Sequence, residues 1–347
     1  MTLRPLIIIA ATVVAGCSGD IPENTNSMVF ASWGGAYQAA VERAWVEPFS
    51  EETGIEVYRD TEPEVARIRA MVETGNVEWD VVTGGGETLM RGADLGLFVE
   101  ITNDMVDQSG VLKEVRNAYG IPSEIFSTVI GYARDAFPDG GPKSFADFWD
   151  VERFPGRRAL PDRPATVLEA ALIADGVATD DVYEVLSTGD GFLRALDKVR
   201  ALKPHVAFWW RSGAQPVQAL GSGEVVMALG WNGRFQSGID DGLDIEISWG
   251  QSVAQAGYFM IPTGAANVEQ ALQFLNYIVQ PEVQARLSEW IAYGPITPSA
   301  MDSIDEARAA RLPSTPERIE RALFMDIEWW AKRATETSEA YIAMLQE

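Results

Sequence analysis

The chain has 347 residues, a formal net charge of −24, one cysteine and one histidine. This excess of negative charge disfavours binding to nucleic acid or to an anionic membrane surface. With Cys17 and His205 as the only residues of their kinds, an internal disulfide and a Cys- or His-based zinc site are excluded. A Ser-His-Asp triad is nearly excluded, so little catalytic machinery is left. We therefore expect neither a metal ion nor a cofactor.

The N-terminus has the pattern of an export signal. Arg4 precedes a short apolar run that ends in Val14-Ala15-Gly16-Cys17. The run is shorter than the roughly 20 apolar residues that a membrane-spanning helix needs. Its end resembles the lipobox of bacterial lipoproteins, which implies that 1–17 is a lipoprotein signal and that Cys17 is lipidated. Residues 18–27 would then form a flexible tether; the alternative is an ordinary secretory signal with an incidental cysteine.

From Met28 onward, short apolar segments alternate with amphipathic ones. Their order predicts a βαβαβ unit and hence a parallel sheet with right-handed crossovers. Ligands of such sheets bind beyond the carboxyl ends of the strands. The predicted strands are 29–31, 55–58 and 79–83, and the predicted helices are 37–51, 64–74 and 88–95.

Glycine-rich or polar segments follow all three predicted strands, at 32–35, 60–62 and 84–87. Glycine allows backbone N–H groups to approach a ligand closely, although any single glycine can also serve only a tight turn. Neither glycine segment has the spacing of a nucleotide-binding motif, so ATP and NAD are not expected ligands.

A second α/β unit begins near Tyr132, and the chain ends in helices. The predicted strands of this part are 158–161, 206–210 and 225–229, and its predicted helices are 166–175, 191–202, 215–221, 268–279, 281–293 and 316–345.

Several of these segments, in their order and spacing, resemble the periplasmic polyamine-type solute-binding proteins of ABC importers, which include spermidine and putrescine binders. The matching segments are 52–57, 79–82, 144–149, 223–227, 231–233 and 271–283. The resemblance implies a type II periplasmic binding protein fold of the α/β class, with two lobes, a hinge and an interlobe ligand cleft. Lobe closure on the ligand is what an importer could sense.

The expected lobes are discontinuous in sequence. Residues 28–126 with 256–296 form the first lobe, and 132–250 with 299–347 form the second. The chain is expected to cross between them near 127–131, 249–255 and 296–299.

Only some of the ligand-binding residues of the polyamine family have a counterpart in this chain. Where polyamine binders place amine-binding acids, this chain has Arg163 and Thr166, and Arg211 follows a Trp-Trp pair at another expected pocket position. Where they carry a Trp and an Asp, it has Gln255 and Gly257. An arginine matches a carboxylate bidentately and would repel a diammonium ligand. We therefore favour a carboxylate or zwitterion such as 4-aminobutyrate, unless both arginines are surface residues.

The remaining candidates supply aromatic walls or an acid for an ammonium group. Glu62, Glu87 or Glu124 could hold the ammonium end, and Trp209 is a further aromatic candidate. The expected ligand-binding set is Trp33, Gly34, Tyr37, Glu62, Gly85, Glu87, Arg163, Thr166, Trp210, Arg211, Trp231, Asn232, Gln255 and Tyr258.

The function implied is the substrate-binding component of an ABC importer, which captures a small solute and delivers it to the permease. Alternative ligands are putrescine or spermidine, and a phosphonate or other small anion. Alternatives of another class are a secreted hydrolase with a carboxylate pair, which no motif supports, and a receptor that presents ligand to a sensor. We expect a non-enzymatic periplasmic protein, lipid-anchored through Cys17, and a monomer because no heptad seam is present.

Overall fold

The computed structural model describes residues 26–347. The export signal, Cys17 and residues 18–25 of the predicted tether lie outside the described residues. The strands are β1 Ser27–Ser32, β2 Glu56–Thr61, β3 Val81–Gly85, β4 Ile121–Ala133, β5 Arg158–Pro161, β6 Val206–Trp210, β7 Met227–Trp231, β8 Ile245–Met260 and β9 Leu323–Phe324.

Fifteen α-helices are found in the described part of the chain, and a π-helical turn, Glu42–Val46, joins the first two. They are α1 Gly35–Val41, α2 Glu47–Thr53, α3 Val65–Thr74, α4 Gly86–Asp94, α5 Phe145–Trp149, α6 Val167–Ala174, α7 Val182–Leu186, α8 Gly189–Leu202, α9 Ala214–Gly221, α10 Asn232–Asp240, α11 Val268–Ile278, α12 Pro281–Arg286, α13 Glu306–Ala309, α14 Pro316–Arg321 and α15 Ile327–Gln346.

The strands form one continuous sheet in the order β2-β1-β3-β8-β4-β7-β5-β6, with β9 paired to β8. Strand β1 is parallel to β2 and β3, as the βαβαβ pattern predicts. At the other end, β5 is parallel to β6 and β7. Antiparallel pairs involving the long strands β4 and β8 join these two parallel halves. The predicted α/β class with two lobes is therefore confirmed.

The two long strands run through both halves of the sheet. Strand β4 has 13 residues and β8 has 16, which is well above the usual strand length of about five or six. Their pairing shifts register between Pro122 and Ile125, and again between Thr128 and Ile130. Two of the expected crossings, 127–131 and 249–255, fall within these strands. The lobe boundaries themselves remain a prediction.

Both faces of the sheet are covered by apolar cores. Phe30 and Phe259 pack on one face of the first half, whereas Ala31 and Tyr258 pack on the other. Successive residues of a strand point to opposite faces, so this alternation buries both. In the second half, Leu172 belongs to the core of one face. Burying such large apolar side chains contributes about 1.5–3 kcal/mol each.

The C-terminal segment differs from the prediction. The single helix expected at 316–345 is two helices, α14 and α15, because Leu323 and Phe324 pair with β8 instead of continuing a helix. Asp326 then caps α15, and its carboxylate accepts a hydrogen bond from the Trp329 backbone N–H at 2.8 Å. The helix expected at 281–293 is also shorter, since α12 ends at Arg286 and a 3-10 turn follows.

Part of the C-terminal segment contacts the first half of the molecule. Ala300, Ile304 and Leu312 form an apolar cluster with Ala285 of α12. The assignment of 299–347 to the second lobe, like the other lobe boundaries, remains a prediction. Within 26–347, no helix combines the length and apolar character that a membrane-spanning segment requires.

Candidate ligand-binding cleft

A cavity of about 330 Å³ lies where the two halves of the sheet meet. Its walls combine the loops after β1 and β3, the long strands β4 and β8, and the start of α10. The lining residues are Trp33, Gly34, Tyr37, Thr83, Gly84, Gly85, Glu124, Phe126, Trp231, Arg234, Gly257 and Tyr293.

A wider groove of about 500 Å³ lies at the opposite end of β4, along Tyr132 and Trp249. Its Arg134 pairs with Asp244 at 3.3 Å and with Glu246 at 3.6 Å. The lining acid of this groove, Glu246, is exposed. The groove therefore lacks the buried charge of the interlobe cavity, and we assign the ligand site to the cavity.

The loop after β1 presents two aromatic side chains to the cavity. Gly34 and Gly35 have φ angles of 75° and 62°, a left-handed conformation that glycine adopts without strain. The turn they make leads into α1 and leaves Trp33 at the mouth, 44 % exposed. Tyr37, in the first turns of α1, reaches further in.

Glu124 enters the cavity from a bulge in β4. Pro122 pairs with Tyr258 and Ile125 pairs with Ala256, so Ser123 and Glu124 together stand opposite Gly257. Such a bulge bends the strand and re-aims its side chains. The Glu124 carboxylate accepts a hydrogen bond from the Tyr37 hydroxyl at 3.0 Å.

Hydrogen bonds to α12 and to Gly294 stabilise the bulge. The side-chain amide of Gln284, a buried residue of α12, donates to the Ser123 carbonyl oxygen at 3.1 Å. The next residue, Ile125, exchanges two backbone hydrogen bonds of 2.8 Å with Gly294. The Ser123 carbonyl and both backbone groups of Ile125 therefore keep partners beside the bulge.

Glu124 is the buried acid of the cavity, only 3 % exposed. Burial raises its pKa to about 7, and the nearby hydroxyl groups of Ser123 and Tyr37 oppose that shift. Glu124 forms no ion pair with any described residue. A cationic group beside it would relieve the cost of its burial and lower its pKa.

Two arginines lie close to Trp231, one lining the cavity and the other behind the tryptophan ring. Arg234, at the start of α10, lines the cavity and makes no hydrogen bond or ion pair with another described residue. The guanidinium carbon of Arg163 lies 4.9 Å from the Trp210 ring centroid and 5.3 Å from that of Trp231. Burial lowers the pKa of Arg163, and the charges of Asp162 and Glu87 oppose the shift. The Arg234 guanidinium group has hydrogen-bond donors available for an anion in the cavity.

Aromatic rings connect the acidic and basic sides. The Tyr293 ring centroid is 6.3 Å from that of Tyr37 and 5.6 Å from that of Phe126. Phe126 in turn meets Trp231 edge-on at 6.4 Å. These rings offer an apolar wall for methylene groups and negative faces for a cation.

Five of the predicted ligand-binding residues line the cavity: Trp33, Gly34, Tyr37, Gly85 and Trp231.

Four other predicted residues lie behind the cavity or its walls. Trp210 is buried and meets Trp231 edge-on at 5.5 Å. Asn232 accepts a hydrogen bond from the Ser127 N–H at 2.9 Å and donates one to the Ala292 carbonyl at 2.7 Å, so it joins three segments. Gln255 donates to Thr128 Oγ1 at 3.2 Å, and Tyr258 is a core residue 2 % exposed.

The remaining predicted residues do not line the cavity. Glu62 and Glu87 are exposed, the latter in the first turn of α4. Thr166 is buried before α6 with φ of 70°, an unusual angle for a β-branched residue. Arg211 is paired with Asp162 at 2.7 Å, and its side chain is 86 % exposed. Arg163 lies behind Trp231, as described above.

Several lining residues were missed in the ligand-binding set. Glu124 is a candidate for the ammonium end but lies outside that set, although a glutamate within the largely apolar segment from Ile121 to Ile130 is a usable signal. Arg234 lies three residues after Trp231, which places both near the start of the same helix. Gly84 lies in the glycine-rich segment 84–87 and Gly257 at a position where polyamine binders carry a ligand-binding residue, whereas Thr83, Phe126 and Tyr293 carry no comparable signal.

Comparison with known proteins identifies the family to which this chain belongs. A model of the bacterial extracellular solute-binding protein family matches residues 44–314. The gamma-aminobutyric acid-binding protein of Pseudomonas aeruginosa is 35 % identical over 321 residues, which are 92 % of this chain and 91 % of that protein. The spermidine/putrescine-binding periplasmic protein of Escherichia coli is 25 % identical over 306 residues, 83 % of this chain and 82 % of that protein.

A solved structure supports the same relationship. The ABC transporter substrate-binding protein from Bradyrhizobium japonicum is 37 % identical, with a TM-score of 0.84, over 92 % of this chain and 99 % of that chain. Members of this family bind small ligands and work with the permease of an ABC transporter, so they are binding proteins rather than enzymes. The chain belongs to the bacterial extracellular solute-binding protein family and is the substrate-binding component of an ABC importer of the polyamine type.

Proposed function

We propose that the ligand is a linear zwitterion with its charges at opposite ends, of which 4-aminobutyrate is the favoured example. One observation carries this proposal: the aromatic-lined cleft contains a buried acid without an ion-pair partner, Glu124, and an arginine without one, Arg234, while Arg163 lies behind its Trp231 wall. The name of the Pseudomonas aeruginosa relative supports the same ligand.

The ammonium end would lie beside Glu124 and Tyr37. Hydrogen bonds between an ammonium group and a carboxylate are about twice as strong as neutral ones, and removal of water from the cleft strengthens them further. The tyrosine hydroxyl already donates to Glu124 Oε2, which leaves the other carboxylate oxygen for the ligand.

The carboxylate end would lie toward Arg163 and Arg234. A guanidinium group can donate two parallel hydrogen bonds to a carboxylate. Arg211 is at the same edge of the sheet but is neutralised by Asp162, so we give it a minor role.

Two other ligand classes fit less well. A diamine such as putrescine would bring its second ammonium group toward these arginines, where like charges repel. A phosphonate or other simple anion would leave Glu124 buried without a cation.

The protein would act in the periplasm, as a monomer, and deliver its ligand to a permease. We propose that 1–17 directs export, that Cys17 carries a lipid anchor, and that 18–27 is a tether. In the alternative, the ligand-bound protein presents its ligand to a sensor instead of a permease.

A thermal-shift screen tests the proposed ligand. A ligand that binds only the native state raises stability by RT ln(1 + [L]/Kd), or about 2.7 kcal/mol at 100 times Kd. We expect 4-aminobutyrate to raise the Tm of the mature protein, and Glu124→Gln to abolish that rise. The exposed variant Glu184→Gln, on α7, is the matched control and should respond like the unaltered protein. A rise with putrescine or spermidine and none with 4-aminobutyrate would contradict the proposal.

A further inference from the structure

Gly257 lies in the interior of β8, where glycine is not needed for the backbone. Its φ angle is not in the left-handed region, and it pairs in register with Gly85 of β3. Glycine in a strand interior destabilises the sheet relative to alanine, and it often marks a close approach by another group. A neighbouring group must therefore need the space that a side chain at this position would occupy.

That contact is made by the bulge of β4. A Cβ atom at position 257 would lie 2.2 Å from Glu124 Oε1 and 2.9 Å from Ser123 Oγ. The first distance is well inside van der Waals contact, so the Glu124 carboxylate fills the space that a methyl group would need. The other carboxylate oxygen is fixed by Tyr37, and Gln284 holds the bulge, so the side chain has little freedom to withdraw.

Gly85, the cross-strand partner of Gly257, provides a contrast. A Cβ atom built on Gly85 has no heavy atom within 4 Å, although this residue also lines the cavity. A methyl group at 85 would enter open space, whereas a methyl group at 257 would displace the acid. The two neighbouring glycines therefore have different roles.

We infer that Gly257 is a positioning residue for ligand binding: its missing side chain allows the bulge of β4 to lay the Glu124 carboxylate on the floor of the cleft. This inference rests on the proposed function, because it assigns Glu124 to the ammonium end of the ligand. Position 257 thus determines whether the acid stays buried in the cleft or moves toward water.

The test compares Gly257→Ala with Gly85→Ala by calorimetry, with 4-aminobutyrate as the probe from pH 5 to pH 8. The titratable side chains that face Glu124 are Tyr37 of α1 and Tyr293, with Arg234 beyond the latter. Neither tyrosine loses its proton in this range, because burial raises both pKa values. A change in the pH profile therefore reports on Glu124.

We expect Gly257→Ala to weaken binding by about tenfold or more and to move the midpoint of the affinity profile to lower pH, because the displaced Glu124 gains solvent. Gly85→Ala places a methyl group in the cavity, so its affinity is not the reference, but the midpoint of its pH profile should equal that of the unaltered protein because Glu124 is not displaced. The double variant Gly257→Ala/Glu124→Asp, whose shorter acid leaves room for the new methyl group, should recover part of the lost affinity. A general loss of folding would not be rescued in this way. Unchanged affinity and an unchanged midpoint in Gly257→Ala would overturn the inference.

A second readout separates this inference from the proposed function. Without ligand, a folded-state pKa raised above the unfolded value makes stability fall as pH rises from about 4.5 to 7. Glu124→Gln should remove the part of this fall that Glu124 causes. We expect Gly257→Ala to remove the same part, because its displaced Glu124 is exposed to solvent. If no ω-amino acid binds the unaltered protein, the proposed function fails, and this comparison still tests the position of Glu124. An identical fall in Gly257→Ala and the unaltered protein would contradict the inference alone.

Discussion

Glu124 is the residue on which the proposed chemistry depends most. Its carboxyl group is buried, accepts a hydrogen bond from Tyr37, and has a pKa raised to about 7 by burial. A ligand ammonium group binds the ionised form, so the ligand and a proton compete for the same group.

This competition predicts a pH-dependent affinity. The fraction of ionised Glu124 falls as pH drops below about 7. The Kd for 4-aminobutyrate should therefore be about tenfold higher at pH 6 than at pH 8, since neither charge of the ligand changes in this range. Calorimetry at several pH values measures the effect. An affinity that is flat from pH 6 to pH 8 would show that Glu124 does not face the ammonium group.

The arginines make separable contributions. Loss of a hydrogen bond to a charged group costs about 1.5–3 kcal/mol, so Arg234→Ala and Arg163→Ala should each raise Kd by about tenfold to a hundredfold. Arg211→Ala is the matched control, because its exposed guanidinium group is already paired with Asp162. We expect less than about a threefold change for Arg211→Ala. If Arg211→Ala raised Kd more than the other two substitutions, the ligand carboxylate would instead lie at the outer edge of the cleft.

The elements show which parts of the fold follow from local sequence. The parallel halves, β1-β2-β3 and β5-β6-β7, could be predicted because apolar strands alternate with amphipathic helices. The break between α14 and α15 could not, because Leu323 and Phe324 leave the helix to pair with β8, a partner distant in sequence.

Some residues of the candidate site could also be predicted from local sequence, and others could not. The aromatic residue Trp33 and the glycine Gly34 follow a predicted strand, so sequence position alone places them at the cleft. The bulge that brings Glu124 opposite Gly257 depends on register between two distant strands, which no local pattern encodes. Arg211 looked like a cleft residue for its position after β6, but Asp162 of the neighbouring loop holds its side chain in solvent.

A second buried acid, Glu169, connects α6 to α15. One carboxylate oxygen accepts hydrogen bonds from Tyr183 at 2.9 Å and Trp330 at 2.6 Å, while the other has no partner among the described residues. Burial raises the pKa of Glu169 to about 7. Because this value is above the unfolded one, the folded state binds the proton more tightly, and stability is lost as pH rises from about 4.5 to 7.

Glu169→Gln should therefore stabilise the protein at high pH. An upward pKa shift of this size destabilises the folded protein by about 3 kcal/mol at pH 8, and the neutral amide of glutamine should recover part of that loss. We expect a gain of about 1–3 kcal/mol in the free energy of unfolding at pH 8, and a gain near zero at pH 4.5. Urea unfolding at both pH values measures the difference. A variant that is less stable than the unaltered protein at pH 8 would show that the ionised carboxylate stabilises the fold.

At the scale of the whole molecule, two parallel half-sheets share the long strands β4 and β8. The cavity lies beside these strands, so its acid is on a segment common to both halves, whereas Trp33 and Arg234 approach from opposite halves. Under the proposed function, a ligand that contacts all three links the two halves and so favours a closed arrangement of the lobes. An importer can then distinguish the loaded protein from the empty one by its shape.

The most direct test compares three ligands that share a four-carbon chain: 4-aminobutyrate, 1,4-diaminobutane and butyrate. Titration calorimetry of the mature protein at pH 8 measures their affinities. We predict that 4-aminobutyrate binds at least about a hundredfold more tightly than either of the others, since each of them leaves one side of the cleft without its counter-charge. Tighter binding of 1,4-diaminobutane than of 4-aminobutyrate would contradict the pairing of one acid with facing arginines.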